Sequence, residues 1–270
     1  MRIDLHIHST ASDGSLSPRA VVQAARSGGL DVIALADHDT VGGVAEAVAA
    51  AQGSIQVIPA LELSTHFEGV EVHVLGYNVD PASPVLTSFG ARASSRREER
   101  MRDMLGRLAG LGISVTYDDV LAAAGTRPES IGRPHLARAM MNHGHVRTVS
   151  DAFDLYIGDD GPAFVPTRLV TPAEAIALIH DAGGVAVWAH PRLDTFVRDL
   201  PRMTGWGLDG VECYRPRNSP ADTNLCVSEA RRHGLLTTGG SDWHGDWSGP
   251  LGSFFVGREE VADLLTVSGI

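Results

Sequence analysis

The sequence predicts an α/β barrel that is interrupted by a helical insertion. At 270 residues and 28.6 kDa, the chain is long enough for one such barrel. Strand and helix patterns alternate near both ends, which favours parallel strands joined by right-handed crossovers. A charged, helix-rich stretch lies between them. We therefore expect residues 1–83 and 167–270 to form the barrel. Residues 84–166 are expected to form an insertion over the C-terminal rim of the strands, where it contributes to substrate binding.

The first predicted strand, residues 3–8, alternates apolar and polar side chains strictly. A period of two places His6 and His8 on one face of the strand, and the isoleucine and leucine side chains on the other. An ordinary half-buried strand shows the same alternation, so this pair alone does not distinguish a metal site from a polar face.

The elements that follow are bounded by clear helix signals. Ser17-Pro18 is typical of a helix start, and Gly28-Gly29 is typical of a helix end. The next predicted elements are strands over residues 31–36, 55–60 and 70–76 and an alanine-rich helix over residues 43–51.

The middle of the chain has a helical pattern. Residues 94–107 are densely charged, with Met101, Met104 and Leu105 at helical spacing, which predicts a helix whose charged face is solvated. Shorter helices are predicted over residues 118–124, 134–141 and 150–157.

The alternation of strands and helices then resumes. The run Thr171-Pro172-Ala173-Glu174 is a capping box, and the helix that it starts ends at Gly183-Gly184. The remaining predicted elements are strands over residues 185–189, 209–213 and 235–239 and helices over residues 222–233 and 259–265. The total is seven strands.

Side chains that can bind metals recur where the predicted strands end. They are His6, His8, Asp13, His38, Glu62, His73, His190, Asp242 and His244. The carboxyl ends of parallel barrel strands meet at one rim, where functional loops gather. We therefore expect all nine side chains to face one cleft.

Six imidazoles and three carboxylates exceed what one ion can bind, because zinc takes about four ligands and manganese or iron about six. The expected cofactors are two to three divalent ions of Mn, Fe or Zn, since nitrogen and oxygen donors without thiolate suit all three metals. Ions this close share a water, lower its pKa and neutralise phosphoryl oxygens. This chemistry predicts attack on a phosphate ester by metal-bound hydroxide.

Four runs, in this order, resemble the motifs of the polymerase and histidinol phosphatase (PHP) family. They are Asp4-Leu5-His6-Ile7-His8, Asp37-His38-Asp39, Ala189-His190-Pro191 and Gly240-Ser241-Asp242-Trp243-His244. Glu62 and His73 stand where that family has further ligands, and the resemblance covers residues 1–83 and 165–255. It implies a distorted (β/α)7 barrel with a trinuclear metal centre and phosphoesterase activity.

The predicted insertion resembles one branch of this family through Gly132-Arg133-Pro134-His135. That branch removes the 3′-phosphate from nucleoside 3′,5′-bisphosphates, and some members trim short RNA from the 5′ end. The resemblance implies that Arg133 and His135 hold phosphate. Arg168, which lies near the expected cleft, is a third candidate for phosphate binding.

Other polar residues near these runs suit supporting roles. Asp37 and Asp39 flank His38 and fit the orientation of a ligand or the formation of a turn better than metal binding. Glu212 ends a predicted strand, where it could bind a metal or meet a backbone or arginine partner. Trp243 and Trp247 fit aromatic packing better than stacking on a base.

Composition narrows the class of function. The formal net charge of −11 (22 basic minus 33 acidic residues) argues against nonspecific nucleic-acid binding, but bound ions would make the site locally positive. Cys213 and Cys226 are too few for a disulfide framework and fit a reducing interior. Neither a signal-peptide pattern nor a long apolar run is present, so we expect a cytoplasmic protein that makes no membrane contact.

The leading hypothesis is a metal-dependent phosphatase that acts on the 3′-phosphate of nucleoside 3′,5′-bisphosphates. A phosphodiesterase, a cyclic-phosphate hydrolase or a 5′-3′ exoribonuclease acting on short RNA could use the same centre. A noncatalytic PHP module is a further alternative, although the complete ligand set opposes it. The expected partner is a small phosphorylated substrate, and no obligate protein partner is inferred.

Overall fold

The computed structural model describes residues 1–125, 128–245 and 249–270. In this part of the chain the predicted number of strands, seven, forms one sheet in sequence order. The strands are β1 (Ile3–Ile7), β2 (Val32–Leu35), β3 (Gln56–Phe67), β4 (Val70–Tyr77), β5 (Val185–Trp188), β6 (Gly210–Tyr214) and β7 (Leu236–Gly239).

The sheet curls, so that distant strands meet on its inner face. The Tyr77 hydroxyl on β4 donates a hydrogen bond of 3.0 Å to the carbonyl oxygen of Leu5 on β1. The segment after β7 returns to β1, where the His8 amide donates to the carbonyl oxygen of Trp243 at 2.9 Å. Apolar side chains from β1 to β5 share one buried cluster. The architecture is therefore a mixed α/β fold with a curled seven-stranded sheet.

The expectation that all strands are parallel is wrong at β4. β4 runs antiparallel to both β3 and β5, whereas the other neighbouring strands are parallel. β3 continues through Glu62 instead of ending at residue 60, and Glu68 and Gly69 then turn the chain with φ angles of 49° and 92°. Two positive φ angles suit a tight hairpin. A hairpin thus replaces the expected crossover, while His73 lies within the fourth strand, as the sequence predicts.

Two of the helices around the sheet begin with the capping residues that the sequence predicts. The Ser17 side chain caps the first helix, and Thr171 with Glu174 forms the predicted capping box. The helices are α1 (Pro18–Ser27), α2 (Val44–Ala51), α3 (Pro84–Gly110), α4 (Tyr117–Ala124), α5 (Arg133–Asn142), α6 (Val149–Ala152), α7 (Pro172–Asp181), α8 (Leu193–Gly205), α9 (Pro220–Arg232) and α10 (Ala262–Val267).

Helix α8 is absent from the sequence-based prediction. Pro201 lies inside it, and an internal proline normally argues against a helix. The signal that could have revealed the helix is the buried stripe of Phe196, Leu200 and Met203, which has helical spacing.

The helices from α3 to α6 lie between β4 and β5, and we call residues 84–157 the helical segment. α3 starts ten residues before the predicted helix, and a wider helical turn (Phe153–Ile157) follows α6. The segment has its own hydrophobic cluster, which includes Met104, Leu136 and Met140, all fully buried. It therefore packs as a unit with its own core.

The structure also bears on the cysteines and on the expected absence of a membrane-spanning segment. Cys213 and Cys226 are both buried and unpaired. Among the described residues, no helix has the length and apolar character needed to cross a bilayer.

Candidate metal centre

All nine predicted ligands converge on one site. Eight of them form three overlapping groups, within each of which the candidate ligand atoms lie within 4.8 Å of one another. The groups are His8, Asp13, His38 and His244; His6, His8, Glu62 and Asp242; and His38, Glu62 and His73. The ninth residue, His190, joins them through its Nε2 atom, which lies 2.8 Å from Oε1 of Glu62.

Glu62 is the hub of this arrangement, because its two oxygens divide five imidazoles between them. Oε2 faces His6 at 3.3 Å, His8 at 3.3 Å and His38 at 3.1 Å, while Oε1 faces His73 at 3.0 Å and His190 at 2.8 Å. The extension of β3 beyond its predicted end places Glu62 at this point. A carboxylate whose two oxygens face separate sets of donors is suited to bridging two ions.

The contacts between ring nitrogens fit metal binding. Nε2 of His6 lies 3.1 Å from Nε2 of His8, and Nδ1 of His73 lies 3.2 Å from Nε2 of His190. Two nitrogens bound tetrahedrally to one zinc at 2.0–2.1 Å would lie about 3.4 Å apart.

Buried polar atoms that lack a well-formed hydrogen bond give a second test of whether these side chains fit metal ions. Nδ1 of His8, Oε2 of Glu62 and Oδ1 of Asp242 are buried without a well-formed hydrogen bond to the described residues. Because a buried polar atom without a partner is costly, these atoms suit bound cations.

Burial disfavours the charged forms of the side chains in the centre, and the charges of neighbouring groups shift the pKa values further. Burial would lower the pKa of His8, but the carboxylates of Asp242 and Glu62 raise that pKa to about 10. At His38, burial prevails and the pKa falls well below the usual value. Burial would raise the pKa of Glu62 and Asp242, yet the surrounding imidazoles hold both pKa values well below their usual range. The carboxylates therefore stay ionised, which is the form in which a carboxylate binds a metal ion.

Glu212 contacts the imidazole of one predicted ligand and the backbone amide of another. Its Oε1 lies 2.9 Å from Nδ1 of His6, and its Oε2 accepts a hydrogen bond of 2.8 Å from the His190 amide. The first contact leaves Nε2 of His6 directed at Glu62 and His8. Such outer partners fix the orientation and tautomer of a ligating histidine.

Three aspartates brace the loops of the site. Asp37 accepts hydrogen bonds from the Ser9 and Ser12 hydroxyls at 2.7 and 2.6 Å, which fits the supporting role expected from the sequence. Asp4, which the sequence-based reasoning did not single out, accepts from the Ser241 amide at 2.9 Å, and burial raises its pKa to about 6. Its place on the same face of the first strand as His6 and His8 was the available signal.

The third aspartate, Asp39, corrects the expectation of a fully solvated charged face on α3. Arg97 is 4% exposed and its Nε donates to Asp39 at 2.6 Å, while its other nitrogens donate to Ser64 Oγ and to the carbonyl oxygen of Ile131. Arg100 is also largely buried, against Glu71 at 3.0 Å. The charge pattern of a helix does not reveal which of its arginines are buried, because their acidic partners lie far away in the sequence.

The predicted phosphate-binding residues occupy different places. Arg133 pairs with Glu71 at 2.8 Å and Asp159 at 2.7 Å. His135 is buried and accepts a hydrogen bond from the Gly132 amide at 3.1 Å; burial lowers its pKa to about 4. Arg168 is exposed and lines a separate cavity, so the structure does not bring it together with the other two.

A cavity of about 390 Å³ adjoins the centre on its accessible side. His73, His190 and Arg133 line it, together with residues of the β3–β4 hairpin and α8. The side chains of His6, His8 and Glu62 are fully buried, whereas that of His190 is 30% exposed. The centre is therefore open to this cavity at His190.

The expected packing role of the two tryptophans can be compared with the structure only at Trp243. Trp243 is buried, and its indole nitrogen donates to the Gly249 carbonyl oxygen at 2.9 Å, so it packs as expected. Trp247 lies outside the described residues.

Comparison with known proteins decides the family. The model of the PHP domain matches residues 4–128. A 5′-3′ exoribonuclease from Haemophilus influenzae is 36% identical over 249 residues, which cover 90% of each chain. The chain belongs to the PHP family.

Two further PHP relatives cover nearly the whole chain. A 3′,5′-nucleoside bisphosphate phosphatase from Chromobacterium violaceum is 34% identical over 253 residues, covering 92% of this chain and 88% of that protein. A structure named as a metal-dependent phosphoesterase, from Bifidobacterium adolescentis, superposes with a TM-score of 0.86 at 35% identity and covers 98% of this chain and 95% of its own. This PHP protein is accordingly a metal-dependent phosphoesterase.

Proposed function

We propose that this enzyme hydrolyses the 3′-phosphate of nucleoside 3′,5′-bisphosphates. The observation that carries the proposal is the cavity beside the centre, which has the size of a small-molecule site and shares His73 and His190 with the ligand cluster. Its lining includes arginine, the residue best suited to planar recognition of phosphate. The Chromobacterium violaceum relative, which is named for this activity, supports the same substrate.

We propose two to three ions of Mn, Fe or Zn, held by the nine convergent side chains. The overlap of the three ligand groups supports a shared centre, because His8, His38 and Glu62 each belong to two groups. When bound, such ions lower the pKa of a shared water and neutralise phosphoryl oxygens.

Side chains of the protein position the predicted ligands and bind the substrate. Glu62 holds five imidazoles in one place, and Glu212 fixes the ring of His6 against rotation. Arg133 and His135 are proposed to contact phosphate, as the family resemblance implies. Arg133 lines the cavity, and its side chain is held in place by Glu71 and Asp159. A held guanidinium loses little conformational entropy when it binds.

The helical segment is proposed to be the substrate-binding unit, within an insertion of residues 84–166 on a barrel of residues 1–83 and 167–270. Its approach to the centre is close. A Cβ atom on Gly132 would lie 2.3 Å from Oδ2 of Asp13, so only glycine allows α5 to come so near.

A second candidate is 5′-3′ exoribonuclease activity on short RNA. The Haemophilus influenzae relative carries that name, and the cavity opens outwards beside His190. The 5′-terminal nucleotide of a short RNA carries phosphate at its 5′ and 3′ oxygens, as a nucleoside bisphosphate does, although its 3′-phosphate is a diester rather than a monoester.

The test is a hydrolysis panel on metal-loaded protein of measured metal content, in which chromatography detects every product: inorganic phosphate, nucleosides, nucleotides and nitrophenol. It compares adenosine 3′,5′-bisphosphate, 3′-AMP, 5′-AMP, a 5′-phosphorylated tetranucleotide, a cyclic phosphate and bis-p-nitrophenyl phosphate. We expect the highest kcat/KM with the bisphosphate. A clear preference for the diester or the cyclic phosphate would replace the proposal with a diesterase, and a preference for the tetranucleotide would replace it with the exoribonuclease.

A further inference from the structure

Helix α8 and the residue before it bring two arginines and one aspartate, Asp199, to the wall of the cavity. Arg192, at the start of the helix, and Arg198 both line the cavity. Another face of the helix buries Phe196, Leu200 and Met203 in the core. The helix is thus anchored by its apolar side chains, while these two arginines border the space beside His190.

Both arginines keep donors available for a ligand. Arg192 contacts Asp194 through Nε at 3.5 Å and Nη2 at 3.2 Å, and Arg198 contacts Asp199 at 2.8 and 2.7 Å. Each set of contacts uses two of the five N–H groups of a guanidinium, which leaves three. The two arginine side chains are 55% and 64% exposed, and exposed pairs of this kind contribute only about 0–1 kcal/mol. A phosphate can therefore share or replace the local carboxylates.

Arg133 differs from these two residues. Its guanidinium contacts Glu71, Asp159 and the Ile157 carbonyl oxygen, so most of its hydrogen-bonding capacity is already engaged. The cavity needs cations besides Arg133 to hold a dianionic group, because four carboxylates, Glu68, Glu71, Asp159 and Asp199, line the same space.

We propose that Arg192 and Arg198 bind the phosphate that is not cleaved. That group is the 5′-phosphate of a nucleoside bisphosphate, or the corresponding phosphate of a short RNA. The inference rests on the proposed function in one respect, since it requires a substrate with a second phosphate. It adds Arg192 and Arg198 to Arg133 as sources of selectivity for that phosphate, and it predicts that the metal centre alone does not distinguish bisphosphates from monophosphates.

The test measures binding without turnover. The probes are two adenosine analogues whose 3′-phosphate is replaced by a noncleavable methylenephosphonate, one with a 5′-phosphate and one without. Calorimetric titration of the metal-loaded protein should show tighter binding of the 5′-phosphorylated analogue. The Arg192→Ala/Arg198→Ala variant should bind that analogue about tenfold more weakly or worse, with little change for the other.

The matched control is Arg232→Ala, which removes an exposed arginine whose partner, Glu229, is also a local carboxylate at 3.6 Å. It should bind both analogues like the unmodified protein. Equal affinity of the unmodified protein for the two analogues, an unchanged double variant, or equal weakening for both analogues would overturn the assignment.

Kinetics separate this inference from the proposed function. The double variant should lose kcat/KM on adenosine 3′,5′-bisphosphate and keep it on 3′-AMP. If neither nucleotide releases phosphate while the 5′-phosphate effect on binding persists, the proposed function fails and the subsite stands. If the bisphosphate is hydrolysed normally by the double variant, the subsite fails and the proposed function stands.

Discussion

The metal centre and the cavity beside it hold their charged side chains in different ways. In the centre, the side chains of His6, His8 and Glu62 are fully buried; His6 and Glu62 lie on paired strands, and His8 directly follows β1. In the cavity, Arg192 and Arg198 are more than half exposed and pair with carboxylates of the same helix, Asp194 and Asp199. The centre is therefore rigid and intolerant of change, whereas the cavity wall can exchange its ion pairs for a substrate.

The largest expected effect comes from removing the ions. Nine convergent ligands that serve two to three ions should make activity fully dependent on them, so chelation should abolish hydrolysis and Mn, Fe or Zn should restore it. Elemental analysis after mild dialysis checks the stoichiometry. One ion or fewer per chain, in protein produced with Mn or Fe supplied, would contradict a multinuclear centre.

Substitution of the hub should come next. Glu62→Gln removes the charge shared by five imidazoles, so we expect loss of at least one ion and a fall in kcat of about a hundredfold or more on every substrate. Metal analysis and kcat are measured together, and the melting temperature reports on folding. Glu259→Gln, at an exposed position, is the control. Full activity in Glu62→Gln would show that the centre is misplaced.

The contact between the helical segment and the loop that carries His38 can be tested through stability. Arg97→Met leaves the Asp39 carboxylate buried without its guanidinium, and breaking such a pair costs about 3–5 kcal/mol. Urea unfolding of the metal-loaded protein measures this loss.

The neighbouring Arg96→Met is a matched control for that experiment. Arg96 is 66% exposed and pairs with Glu99 one turn away, so its removal should change the free energy of unfolding by no more than about 0.5 kcal/mol. Similar stabilities of the two variants would show that Arg97 does not join the helical segment to the sheet energetically.

The smallest expected effect is selective for substrate. Arg133→Ala should leave the metal content intact and lower kcat/KM on adenosine 3′,5′-bisphosphate by about tenfold or more, with a much smaller loss on p-nitrophenyl phosphate. Glu71 keeps Arg100 at 3.0 Å, so we expect the fold to survive. Arg133→Lys retains the charge without the planar fork and should recover only part of the loss.

Equal losses on both substrates would place Arg133 at the reacting phosphate. No loss on either would return it to a structural role in the network of Glu71 and Asp159.

Much of the candidate site follows from the sequence because its signals are local. The period of two in β1 places His6 and His8 together, and polar residues that follow apolar runs mark His38 and His190. The hub role of Glu62 is different. The sequence identified it as a ligand, but its contacts depend on β3 extending past it and pairing with β4.

The sequence by itself determined the number of strands, two of the helix caps and the set of nine converging side chains. These features depend on side-chain periodicity and on hydrogen bonds between residues three or four apart. The tertiary structure decided the antiparallel course of β4, the burial of Arg97 against Asp39 and the separation of Arg168 from Arg133. Each of these depends on contacts between residues distant in the chain, and no local pattern encodes the partner of a charged side chain that folding will bury.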